Sequence, residues 1–232
     1  MLKIKTTELQ TSKKGFKVSA ITSWKTLAKT IPLLVGISIL LSASPAAAHH
    51  AFGGKTPSNF FEGFLSGLAH PIIGLDHFAF VVAIGLLAAI KERGIFIPIA
   101  FVLTALAGTG IHLMSLDLPV PEVVISASVL VFGIMLALKN SPNSVLMIVL
   151  AAIAGLFHGY AYGESIVGAE MTPLVAYLAG FTLIQLAIAL LSFQVSKSVM
   201  RPVTEQPNLV LRFAGFTIGG AGAAFLSSAI LG

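Results

Sequence analysis

Six apolar runs, at 72–90, 94–115, 121–138, 143–162, 172–195 and 209–231, take up most of the chain and leave little else for it to fold around. Each is about 18 to 24 residues long, enough for a helix rising about 1.5 Å per residue to cross a hydrocarbon layer of about 30 Å. In that layer only helices and closed barrels satisfy their backbone hydrogen bonds, and unbroken apolar runs of this length form helices. The composition agrees. Only 10% of residues are charged and 56% are hydrophobic, whereas a soluble domain carries about 25% charged residues to face water. The sequence predicts an all-α, polytopic membrane bundle of about six transmembrane helices with short, up-and-down connections.

A formal charge of +5 would point to nucleic acid or acidic lipid if it were spread along the chain. Instead Lys3, Lys5, Lys13, Lys14, Lys17, Lys25 and Lys29, half of the 14 Lys and Arg residues, precede a short apolar core at Ile31 to Leu41. Small residues from Ser42 to Ala48 follow, with an A-x-A end, which is the pattern of a secretory signal peptide. Cleavage after Ala48 divides the chain into a signal peptide at 1–48 and a transmembrane domain at 49–232. That domain has seven basic against eight acidic residues, a balance of −1. Nucleic acid therefore loses its support as a partner, and the lipid bilayer remains.

The remaining basic residues record a topology. Lys91 and Arg93 follow the first run, Lys139 the third, and Lys197, Arg201 and Arg212 surround the connection between the fifth and sixth. The positive-inside rule then puts the mature N-terminus on the periplasmic or outer side of a bacterial inner (plasma) membrane, in agreement with export. Asp117, Glu164 and Glu170 fall at the outer side and make it mildly attractive to cations. Gly155, Gly159 and Gly163, and Gly215, Gly219 and Ala223, form small-xxx-small faces for helix packing. Tyr160, Tyr162 and Tyr177 read as interfacial anchors.

With that topology all six histidines, His49, His50, His70, His77, His112 and His158, lie outside or in the outer half of the bilayer. Ionisable groups within a membrane cost at least about 2.5 kcal/mol each when unpaired, so a set of them at one depth on different helices points to a shared polar site. With no Cys in the chain, thiolate chemistry is excluded, and imidazole with carboxylate suits Ni²⁺, Co²⁺ or Zn²⁺. The densest piece is HPIIGLDH, residues 70–77. On a regular helix His70 and His77 would stand about 10.5 Å apart along the axis, too far for one ion held by bonds of about 2 Å. Either the helix breaks at Pro71 and Gly74 and folds His70 back, or the two imidazoles line successive positions of a path. The second cluster is FHGYAYGES, residues 157–165, in which His158 and Tyr162 share a face while Glu164 points elsewhere. Glu122 opens the third run from the outside. His112, in GTGIHLMS, is a weaker candidate. His49 and His50, as the first mature residues, could chelate nickel or copper together with the free α-amine.

These motifs resemble the HupE/UreJ family of nickel and cobalt permeases, marked by HPxxGxDH in the first mature helix and FHGxAHGxE in a later one. The resemblance covers essentially the whole mature chain. His70, Pro71, Gly74, Asp76 and His77 match the first motif in full, and Phe157, His158, Gly159, Ala161 and Gly163 match the second. Tyr162 stands where the family has its second His, Ser165 where it has Glu, and Glu164 is displaced by one. Either Glu164 compensates through a bent helix end, or the ligand set differs. The family's acidic residue after the second helix looks like Glu122.

The expected function is uptake of Ni²⁺ or Co²⁺, with Zn²⁺ a further cargo, by a secondary transporter or facilitator with no permanently bound cofactor. His70, Asp76 and His77 would form the outer site, with Glu122 and His158 deeper and His49, His50, His112 and Glu164 as further metal contacts. The sequence holds no nucleotide-binding loop and leaves the oligomeric state open. Two rivals use the same residues: an intramembrane zinc hydrolase, and a nickel-binding membrane accessory for metalloenzyme maturation.

Overall fold

The protein is described by a computed structural model, which covers residues 55–140, 142–200 and 207–232. The signal peptide expected at 1–48, with His49, His50 and Arg201, lies outside the described residues. Seven helices and, among the described residues, no strand make up the fold: α1 (Phe60–Ile73), α2 (Leu75–Ala89), α3 (Phe96–Leu113), α4 (Pro121–Ala137), α5 (Ser144–Glu164), α6 (Met171–Val199) and α7 (Pro207–Leu231). Four of them, α3, α5, α6 and α7, are each long and apolar enough to span a membrane. Large apolar side chains such as Leu103, Leu191 and Phe213 point outward, more than 60% exposed, as lipid-facing residues do.

The first span differs in its bounds from the run marked at 72–90 and takes the broken form of the two alternatives. It begins earlier, at Phe60, and is two helices meeting at an angle of 78° across Gly74. Asn59 starts α1 by accepting from the backbone N of Glu62 (3.0 Å), and Glu62 reaches back to the backbone N of Ser58 (2.8 Å), a reciprocal arrangement that satisfies helix-end donors. Gly74 ends α1 with extended backbone angles (φ −70°, ψ 96°). Gly63 packs against Pro173 and Gly67 against Tyr177, while further along Gly85 packs against Ala189. The bent pair therefore follows α6 in one direction along its length, as a broken span and not a hairpin.

The other helices cross as alternating topology requires. Gly155 and Gly159 bring α5 alongside α3 in the same direction, against Phe101 and Ala105. Gly215 meets Ala137, and Gly222 meets Leu130, so α7 runs opposite to α4. The expected small-residue faces are thus packing faces. At 17 residues α4 is apolar but shorter than α3, α5, α6 and α7 and rises about 25 Å. Pro98 lies in the first turn of α3, where a missing amide hydrogen is tolerated. Ser144 Oγ donates to the Glu92 carbonyl (2.7 Å), joining two connections at one end of the bundle, and Tyr160 donates to Asp117 (3.3 Å) at the other.

Candidate metal centre

The break at Gly74 creates the site. With α1 and α2 at a steep angle, the rings of His70 and His77 lie 5.7 Å apart between centroids, although seven residues separate them in sequence. Two imidazoles sharing one metal ion place their centroids roughly 4.5–6.5 Å apart. The fold-back alternative is the one the chain adopts. A Cβ on residue 74 would stand 2.6 Å from the His77 ring, so a glycine is needed here for close approach. Asp76, in the first turn of α2, accepts from the backbone N of His77 (2.8 Å). Its carboxylate thereby stabilises the positive start of the helix and remains partly exposed.

His158 arrives from α5. Because Gly159 lets α5 approach α3 at backbone distance, and Thr109 Oγ1 donates to the Gly159 carbonyl (2.7 Å), the preceding residue is held firmly in register. His158 Nδ1 lies 2.7 Å from His77 Nδ1, and its Nε2 lies 3.0 Å from Ser128 Oγ on α4. His70 Nδ1 is within hydrogen-bond distance of Ser165 Oγ (2.9 Å) and the Tyr177 hydroxyl (3.0 Å). All three histidines are at most 2% exposed. Five segments, α1, α2, α4, α5 and α6, therefore supply one buried polar cluster inside an apolar bundle.

Tyr162 sits in its middle, with its ring centroid 5.0 Å from that of His70 and 4.6 Å from that of His77. Its buried hydroxyl makes no hydrogen bond among the described residues. Next to His158 the aromatic rings of Phe80 and Phe101 pack at 4.6 and 5.4 Å, and Phe132 meets Phe80 edge-to-face at 4.8 Å. These three form an apolar floor under the polar cluster. Tyr162 and Tyr177 are fully buried, which corrects their reading as interfacial anchors, whereas Tyr160 is bonded to Asp117.

Other expected site residues fall elsewhere. Glu122 is exposed in the first turn of α4, about 9 Å of helix rise from Ser128. His112 packs on Tyr160 (4.4 Å) beside Gly163, at the C-terminal end of α5. Glu164 is exposed at the last position of α5, as its spacing predicts, whereas Ser165 beside it is buried against His70. Among the described residues, no three His, Asp or Glu side chains converge in a metal-binding group. Sequence reasoning did not find Ser128 and Tyr177: each is a lone hydroxyl in an apolar helix, 30 and 107 residues from the histidine it touches.

Comparison with known proteins gives a consistent result. Residues 37–225 match the family model described as HupE / UreJ protein. Protein HupE from Rhizobium leguminosarum bv. viciae is 30% identical over 191 residues, which is 79% of this chain and 92% of that protein. No solved structure matches the chain.

Proposed function

Because this chain belongs to the HupE/UreJ family, which comprises nickel and cobalt transport or accessory proteins rather than enzymes, we propose that it is an uptake permease for Ni²⁺ or Co²⁺. One observation carries this reading: His70, His77 and His158, from three separate helices, meet in a buried cluster with the partly exposed Asp76 at its edge. Imidazole nitrogens replace the hydration shell of a borderline divalent cation, a role apolar scaffolding does not need. Lys91, Arg93, Lys139 and Arg212 lie at the end of the bundle opposite Asp117, Glu122 and Glu164. By the positive-inside rule the acidic end faces outward, in the periplasm of a bacterial inner membrane.

A cation attracted to the acidic end meets Asp76 first, then the imidazoles of His70 and His77. Zn²⁺ fits the same donors, so geometry and availability set the selection. The floor of Phe80, Phe101 and Phe132 closes the inner side, and release requires those rings to part. Membrane potential favours inward movement by about 2.3 kcal/mol per charge per 100 mV, or about 4.6 kcal/mol for a divalent ion, and no resident cofactor is required. Cells expressing the protein should accumulate radioactive nickel or cobalt above cells lacking it. Binding without uptake would instead identify a metal-binding accessory, and metal-dependent lipid or peptide cleavage without uptake a hydrolase.

The departures from the family motif give a narrower test in the same assay. Glu164 is exposed while Ser165 occupies the family's carboxylate position, so Glu164→Gln should leave uptake within about twofold; a large loss would give Glu164 the carboxylate's role. Tyr162 stands beside the His70 and His77 rings, and Tyr162→His would add a fourth imidazole to the cluster. The half-saturating nickel concentration should fall roughly tenfold, the equivalent of about 1.4 kcal/mol. An unchanged value would mean that position 162 does not face the ion.

A further inference from the structure

We infer that Ser128 and Tyr177 are positioning residues that fix the histidine tautomers, so that His70 and His77 both present an unprotonated Nε2; their relevance to metal capture rests on the permease reading. The inference follows from counting protons along two hydrogen-bonded chains, each anchored on a backbone carbonyl.

In the first chain, Ser128 Oγ lies 2.6 Å from the Ile125 carbonyl oxygen. A carbonyl only accepts and a serine hydroxyl has one proton, so that proton is committed to Ile125. Ser128 Oγ, 3.0 Å from His158 Nε2, must then accept there, and His158 carries its hydrogen on Nε2. A neutral imidazole has one N–H, so His158 Nδ1 is an acceptor and takes the hydrogen of His77 Nδ1 across 2.7 Å. His77 is left with its lone pair on Nε2.

The second chain repeats the logic. The Tyr177 hydroxyl donates to the Tyr162 carbonyl at 2.8 Å, which uses its single proton. Its oxygen, 3.0 Å from His70 Nδ1, therefore accepts, and Ser165 Oγ at 2.9 Å offers a second acceptor to the same N–H. With an unprotonated Nδ1, two lone pairs would face each other across that 3.0 Å contact. His70 too is left with its lone pair on Nε2. Metals bind only through a lone pair, and the hydrogen bond at one ring nitrogen decides which atom presents it. Carbonyls of α4 and α5 thus direct two chains of protons away from the place where the rings of His70 and His77 converge.

The test uses the full chain, purified in lipid nanodiscs without metal and labelled with ¹⁵N-histidine. Proton–nitrogen correlation spectra distinguish the two tautomers, and single His→Gln variants assign the signals. His70 and His77 should be Nδ1–H forms and His158 the Nε2–H form. Ser128→Ala should let His158 and His77 populate the other tautomer and weaken Ni²⁺ binding about tenfold, with Ser128→Thr restoring both, since outer hydrogen-bond partners of metal-binding histidines are typically worth about 10–100-fold in affinity. Tyr177→Phe should do the same for His70. An Nε2–H form of His70 or His77 in the unmutated protein would overturn the inference, as would unaltered tautomers in Ser128→Ala and Tyr177→Phe. Failure of the permease reading is seen separately, as absent nickel uptake by the unmutated protein, and leaves the metal-free spectra as they are.

Discussion

Replacing His77 with Ala is expected to reduce nickel and cobalt accumulation at least tenfold, to near the level of cells lacking the protein. His77 links the other two histidines of the cluster: its Nδ1 is bonded to His158, and its ring packs on Tyr162 and lies close to His70. Truncation removes one imidazole and leaves the buried His158 Nδ1 without its partner, a loss of about 1–3 kcal/mol in addition to the missing ligand. Alanine is a good helix former, so α2 itself should persist. His112→Ala provides the contrast. It removes an imidazole at the same end of the bundle but outside the cluster, and uptake should be retained. Equal uptake by the unmutated protein and His77→Ala would remove the cluster from the transport route.

The second large effect is expected at Gly159. A Cβ there would overlap the carbonyl and Cα of Ala105, and because backbone cannot rotate aside, α3 and α5 would have to separate. Gly159→Val should cost about 3 kcal/mol, the upper end of ordinary overpacking, and should also weaken the bond from Thr109 that holds His158 in register. A marked fall in the thermal midpoint of the detergent-purified protein would register this. Gly110→Val, on α3 where an added Cβ meets nothing, is the control and should change little. Equal midpoints for the two variants would show that the α3–α5 contact is looser than described.

The residues that could be read in advance and those that could not differ for physical reasons. The later crossing helices were legible because a bilayer demands long apolar runs, and α3 to α7 fall close to the runs that mark them. Helix α1 was not, since it faces α6 through Gly63 and Gly67, residues chosen for closeness rather than hydrophobicity. The break at Gly74 was legible as one of two alternatives, because Pro71 and Gly74 weaken a helix without saying which way it bends. His70, His77 and His158 announced themselves as ionisable residues in apolar surroundings. Ser128 and Tyr177 did not, since a hydroxyl is inexpensive in a membrane helix and only the packing of α4 and α6 reveals what it touches. Glu122 was drawn into the site by its charge and its position at a helix start, yet it lies exposed in the first turn of α4.

The proposed route of a transported metal ion passes through the buried histidines. Its most direct test is flux of radioactive nickel into liposomes that contain only the purified protein, with an inside-negative potential imposed. The unmutated protein should load the liposomes above protein-free controls, faster as the potential is made more negative, and a folded His70→Ala/His77→Ala double variant should not. Absence of loading by unmutated protein that still binds nickel, or equal loading by the double variant, would contradict the claim.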